Sequence, residues 1–247
     1  MMNIFLSGCT GKMGNTICDI CKNSKEYKIT AGYSYEKNDT KDFTVYTDIS
    51  NVKEDFDIII DFSSKIALND VLQLALKRNK PVVLATTGFD EDDIKNIEKA
   101  SKKIPILHSS NMSFGVNASI ELISFATKIL KNYDIEIIEK HHNLKKDSPS
   151  GTAKMMLDEI IKNRPDLKAV YGREGNSSLR SENEIGVHSV RGGSIVGEHK
   201  VIFAGDDEII EITHIANSKK IFANSALKLA KKLVGMPNGY YSIKDFL

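Results

Sequence analysis

Three glycines spaced Gly8-x-x-Gly11-x-x-Gly14 separate a run that reads as a buried strand, Asn3–Ser7, from one that reads as a helix, Lys12–Cys21. Glycines at such a junction permit a tight turn, close approach of backbone to a pyrophosphate, and close packing of helix on sheet. The alternation then continues. Strand patterns at Tyr27–Tyr33, Asp57–Ile60, Pro81–Ala85 and Ile104–His108 are interleaved with helical ones at Ile66–Lys77 and Glu91–Lys102. Strands alternating with helices of about ten residues make βαβ units, and these require a parallel sheet. The glycine spacing is not the commoner G-x-G-x-x-G, so it is the strand–turn–helix context that favours a dinucleotide over a phosphate-free turn.

The second half follows a different pattern. A helix at Ser119–Leu130 precedes a strand at Ile135–Lys140 and a helix at Thr152–Asn163, with a polar stretch from Gly172 to Asn183. Strand patterns at Glu184–Arg191, Ile195–Phe203 and Glu208–Ile215 come next, joined by Gly192-Gly193 and Gly205-Asp206, and predict an antiparallel or mixed sheet. By periodicity alone the last helix, Ile221–Leu233, fits either half.

Composition narrows the class. With 34 basic and 33 acidic residues the net charge is +1, so no global field draws the chain to nucleic acid or a lipid surface, and any anion selectivity must be local. No apolar run nears the ~18 residues of a membrane span, and the strand at Asn3 leaves no room for a signal segment. Three cysteines, Cys9, Cys18 and Cys21, clustered in one segment, fit a reducing cytoplasm. Cys18 and Cys21 lie inside a helical pattern without a second ligand pair, which argues for packing over zinc or redox chemistry.

A dinucleotide site of this kind wants an acid near the end of the second strand. Glu36, 22 residues after Gly14, meets that need, with Asp39 as a rival. Lys37 beside it could receive a 2′-phosphate and Lys12 could contact a phosphate, so NADH and NADPH both stay open. The alternative for this loop is a plain solvated turn. Two further loops at strand ends, Ala85-Thr86-Thr87-Gly88 and Ser109-Ser110-Asn111-Met112-Ser113, suit a nicotinamide carboxamide or, equally, a turn or cap.

The densest chemistry lies at His141-His142-Asn143-Leu144-Lys145 and Ser148-Pro149-Ser150-Gly151-Thr152. Two imidazoles and an ammonium can move protons near neutral pH, and the N–H groups at a helix start bind carboxylates. Adjacent histidines on an extended segment point to opposite faces, so no metal site is expected. His188, His199 and His214 read as packing or interface residues. Arg191 reads as a solvated hairpin end or an interface contact, outside the site.

In this order the pieces resemble the 4-hydroxy-tetrahydrodipicolinate (dihydrodipicolinate) reductase family of bacterial lysine biosynthesis. The likeness rests on Gly8–Gly14, Asp61-Phe62-Ser63, Ala85–Gly88, Asn111–Asn117, Glu139–Ala153, Ile185–Ala204, Ile212-Thr213-His214 and Phe222-Ala223-Asn224. The family usually has Arg where this chain has Lys12, and commonly Gly where it has Ala85. The resemblance implies an α/β protein with a Rossmann-type dinucleotide-binding domain over 1–112 and 220–247. It also implies an α+β substrate-binding domain with a mixed or antiparallel sheet over 113–219, which assembles a homotetramer. Hydride would pass from NADH or NADPH to C4 of a small, dianionic cyclic substrate in the interdomain cleft, with loss of its hydroxyl as water.

By position, His141 would be proton donor and acceptor and Lys145 a proton donor, while His142, Gly151 and Thr152 would bind substrate. Gly8, Cys9, Thr10, Gly11, Lys12, Met13, Glu36, Ala85, Thr86, Thr87, Ser109, Ser110, Asn111 and Met112 would bind the cofactor. Two rivals fit the same plan: an amino-acid or dicarboxylate dehydrogenase, and a dinucleotide-sensing module without turnover.

Overall fold

The computed structural model describes residues 1–36, 38–176 and 179–247. Its contacts divide the chain into Met1–Phe114 with Lys220–Leu247, and Gly115–Lys219. The first unit holds strands β1 (Met2–Ser7), β2 (Tyr27–Tyr33), β3 (Thr44–Tyr46), β4 (Ile58–Asp61), β5 (Val82–Leu84), β6 (Pro105–His108) and β12 (Gly239–Tyr241). All are parallel, in the order β12-β6-β5-β4-β1-β2-β3. That is a doubly wound, Rossmann-type sheet whose order reverses beside β1.

Its strands alternate between two buried faces, as a sheet covered on both sides requires. Ile4, Leu6, Ile58, Ile60, Val83 and Leu107 pack with helices α1 (Lys12–Lys22) and α6 (Lys220–Leu233). Phe5, Ile59, Val82, Leu84 and Ile106 pack against α2 (Leu68–Arg78) and α3 (Glu91–Ser101). The last helix thus closes the face opposite α2 and α3. Cys9 and Cys21 are buried in the first of these cores and Cys18 packs against it. Burial pushes the Cys9 thiol up to about 11 and Cys21 up to about 12, so both are inert packing groups.

The second unit is a five-stranded mixed sheet, β11-β10-β7-β9-β8, of β7 (Asp134–His141), β8 (Lys168–Tyr171), β9 (Glu184–Arg191), β10 (Glu198–Ala204) and β11 (Ile209–Ile215). Helices α4 (Phe114–Ile129) and α5 (Gly151–Asn163) supply Ile120, Ile123, Met156 and Ile160 to a core with Ile135, Ile137, Val187, Val201 and Phe203. Among the described residues, the opposite face carries no helix of this unit. On it Ile209 and Ile215 are 65% and 59% exposed, beside the pairs Lys140–Glu198 and Lys200–Glu211, both at 2.7 Å.

One expectation changes. Gly192-Gly193 does not turn a hairpin, because β9 and β10 both pair with β7, which lies between them. The loop folds back instead on the end of β7: Gly192 N–H donates to His141 O at 2.9 Å and Asn143 N–H to Gly193 O at 3.2 Å. Among the described residues, no helix is long and apolar enough to cross a membrane.

Candidate active site

In the first unit, parallel register aligns the C-terminal strand ends. Ser7 lies opposite Asp61, Asp61 opposite Leu84, and Leu84 opposite His108, so the loops after β1, β4, β5 and β6 emerge side by side. The glycine loop is as tight as its spacing predicts. Gly8 has φ +78 and a Cβ there would sit 2.6 Å from Phe62 O, while a Cβ on Gly14 would meet Gly8 O at 2.2 Å. Only glycine fits at either position. Gly8, Thr10 and Gly11 line a hollow of about 220 Å³ with Tyr33, Ser34, Tyr35 and Phe62–Ser64. This crevice beside β1, where the strand order reverses, opens on backbone amides and small hydroxyls, which fits part of a dinucleotide.

The other residues expected to meet a cofactor are distributed around that edge. Thr10 and Ser34 hydroxyls are 2.7 Å apart, and Cys9 Sγ donates to Tyr33 O at 3.4 Å. Lys12 is exposed on the first turn of α1, and Met13 packs partly into the core. Glu36 is exposed, its N–H donating to Ser34 Oγ at 3.4 Å. Lys37 lies outside the described residues. Ala85 N–H donates to Asp61 O at 2.9 Å, and Thr86 Oγ1 to Asp61 Oδ2 at 2.6 Å; Thr87 is exposed. Ser109 donates to Asn111 O at 2.9 Å, Ser110 is exposed, and Met112 is buried in the core. Asp61 carried part of the family resemblance without being given a site role. It is fully buried, and burial pushes its carboxyl up against the opposing pull of Ser63 and Thr86.

In the second unit the chemistry gathers at the end of β7. His141 closes that strand, with its Nδ1 2.6 Å from Glu139 Oε2. Glu139 is fully buried and shares the face of His141, two residues apart. Arg191, level with His141 on neighbouring β9, grips both Glu139 oxygens, at 2.8 and 2.7 Å. The same guanidinium reaches Asp147 O at 2.7 Å. Ser150 N–H donates to Glu139 at 3.1 Å, Ser150 Oγ caps α5 by accepting from Ala153 N–H at 3.2 Å, and that hydroxyl lies 2.8 Å from His199 Nε2. The His141 and His199 rings stand 5.1 Å apart, edge to face.

The electrostatics follow. Burial would raise Glu139, but Arg191, His141 and Ser189 hold its carboxyl at about 2. Burial lowers His141, and the Lys145 and Arg191 charges add to this against the pull of Glu139. Burial and the His141 charge press His199 down to about 4. Lys145 Nζ is 2.8 Å from Asp147, and His142 Nδ1 is buried without a hydrogen-bond partner. Gly151 and Thr152 open α5, where backbone N–H groups lack helical acceptors, and a Cβ on Gly151 would meet nothing within 4 Å. Imidazole, ammonium and a helix start in one stretch, with the Arg191 guanidinium beside them on β9, can bind carboxylates and deliver a proton. Among the described residues, no cluster of His, Cys, Asp and Glu could hold a metal ion.

Sequence reasoning placed Ser150 in this stretch without a role of its own, and gave no site role to Glu139, Arg191 or His199. The one local signal was the Glu139/His141 alternation. Arg191 and His199 join it only through strand pairing across about 50 residues.

Comparison with known proteins accounts for the whole chain. Residues 2–112 match the family "Dihydrodipicolinate reductase, N-terminus" and residues 115–247 its C-terminus. A 4-hydroxy-tetrahydrodipicolinate reductase of Caldanaerobacter subterraneus subsp. tengcongensis is 48% identical, covering 100% of this chain and 98% of that one. The enzyme of the same name from Clostridium tetani is 44% identical, covering 100% and 97%. A dipicolinate-bound dihydrodipicolinate reductase structure from Paenisporosarcina sp. TG-14 has the same fold, with TM-score 0.84, 20% identity and full coverage of both chains.

Proposed function

We propose a reaction for this chain on the ground that it belongs to the dihydrodipicolinate reductase family. It is an NAD(P)H-dependent oxidoreductase that converts 4-hydroxy-tetrahydrodipicolinate to tetrahydrodipicolinate with release of water, in lysine and diaminopimelate biosynthesis. A reduced pyridine dinucleotide, when bound, supplies the hydride for ring carbon C4.

The protein's task is to hold a dianion and place one proton. Gly8–Met13 and the loops at Ala85–Thr87 and Ser109–Met112 receive the dinucleotide on amides and hydroxyls, with Glu36 at the adenosine ribose. His142, Lys145 and the Gly151–Thr152 amides bind the ring carboxylates, and His141 or Lys145 delivers the proton to C3. The single observation carrying this reading is the full-length match at 48% identity to a reductase of that name, in a chain with this His–Lys–helix-start cluster.

A paired assay with NADH and NADPH, supplied with enzymatically generated precursor, tests it. Nucleotide consumption with the precursor and none with simple keto acids is the expected result. Consumption with keto acids would make the protein an ordinary dehydrogenase, and binding without consumption a sensor. We also assign a homotetramer, built on the helix-free face of the mixed sheet where Ile209 and Ile215 are exposed, and a cytoplasmic location, in keeping with three free cysteines. Light scattering of an Ile209→Lys, Ile215→Lys variant should show smaller particles. An unchanged mass would sink that assembly.

A further inference from the structure

Behind His141 stands a carboxylate with no access to solvent and no role in the steps above. Glu139 draws hydrogen bonds from three parts of the unit: both terminal nitrogens of Arg191 on β9, the Ser150 N–H that starts α5, and Nδ1 of His141 on its own strand. Arg191 also donates to Asp147 O, so the loop between β7 and α5 is tied to this carboxylate twice. Gly197 completes the arrangement on the other side of the imidazole. A Cβ there would come within 3.1 Å of His141 Nε2, so the glycine leaves that nitrogen unobstructed.

We propose that Glu139 is a positioning residue: it fixes the His141 ring with the Nδ1 proton turned inward and Nε2 turned toward substrate, and anchors the helix start at Ser150 to the same point. The inference rests on the reading above that His141 exchanges a proton with substrate. A merely structural ion pair could sit anywhere in a core and is worth little against apolar packing. In this one the carboxylate accepts from the ring and from the loop that are to face the substrate together. An acceptor on one imidazole nitrogen decides which nitrogen carries the proton, and hence which can take or give one.

The charged and titratable groups facing His141 are Glu139 on its own strand, Arg191 on β9, His199 on β10 and Lys145 in the following loop. Of these, Glu139 alone favours the protonated ring. Glu139→Gln keeps the shape and removes the charge. We expect its kcat to fall on the order of 100-fold, the low end of what a placed proton donor contributes, with NADH affinity unchanged. The alkaline limb of its pH–rate profile should move to lower pH. Glu139→Asp should return the limb without restoring full kcat, because the shorter side chain cannot hold both Arg191 nitrogens.

Nitrogen-15 shifts of His141 in the unaltered protein provide a readout that needs neither turnover nor a variant. They should show the neutral ring protonated at Nδ1. A ring protonated at Nε2, or a Glu139→Gln protein with lowered melting temperature but unchanged pH profile, would overturn the proposal. If the unaltered protein fails to reduce the precursor while the Nδ1 tautomer is present, the reaction assignment fails and the positioning of the ring stands.

Discussion

Asp61 in the first unit and Glu139 in the second are both fully buried carboxyl groups at or near the ends of strands, and their surroundings shift them in opposite directions. Asp61 meets hydroxyls and an amide from Ser63 and Thr86, and burial pushes its carboxyl up. Glu139 meets a bidentate guanidinium and is held ionised at about 2. The contrast extends to the regions around them. The first unit's edge offers amides, glycines and small hydroxyls, the kind of groups that suit a phosphate through preorganised dipoles. The second gathers full charges, the kind of groups that suit carboxylates and proton transfer.

The sharpest test is a division of effects between the units. Lys145→Ala should lower kcat by roughly 100- to 10,000-fold while dinucleotide affinity, measured by calorimetry, stays constant. Unchanged turnover would remove Lys145 from the chemistry and weaken the contrast. Gly14→Ala should do the reverse. Its Cβ would lie 2.2 Å from Gly8 O, and overpacking of this kind costs roughly 1–3 kcal/mol. Nucleotide binding should be lost, with the His141 nitrogen-15 signals intact.

Acid should act on the second unit through His199. Its folded value of about 4 lies below the ordinary 6.5, so between these the unfolded chain binds more protons and stability falls as pH drops through that window. Below it Glu139 takes over, losing its contribution as pH falls from 4.5 toward about 2. Hydrogen exchange of β7 and β10 amides should rise in this order, and His199→Asn should flatten the upper segment. The smallest effect belongs to Asp61→Asn. A raised carboxyl contributes stability below its unfolded value that is lost as pH rises through its folded value. Removing it should therefore leave the melting temperature at pH 7 unchanged or raised. A large drop would mean that Asp61, like Glu139, is held as an anion.

The same contrast explains what the sequence disclosed. The glycine turn, the strand–helix alternation and the helix start at Gly151 are written in adjacent residues, so spacing reveals them. Strands β3, β8 and β12 are short edge strands without the continuous apolar run that marks the comparably short, central β5. Glu139, Arg191 and His199 meet only because β7 lies between β9 and β10, a pairing that no local pattern records. Arg191 looked like the end of a hairpin for the same reason: Gly192-Gly193 resembles a tight turn until its partner strand is known.

The return of α6 to the first sheet gives the newborn chain an unusual timetable. Ala223, Leu227, Ala230 and Leu233 roof the face formed by Ile4, Leu6, Ile58 and Ile60, so a surface laid down first on the ribosome waits for nearly the last helix to be made. The intervening segment carries its whole core within itself and emerges complete while that first face is still bare. A chain truncated just before Lys220 would therefore keep every residue of the second unit's core and leave that face of the first sheet without its roof.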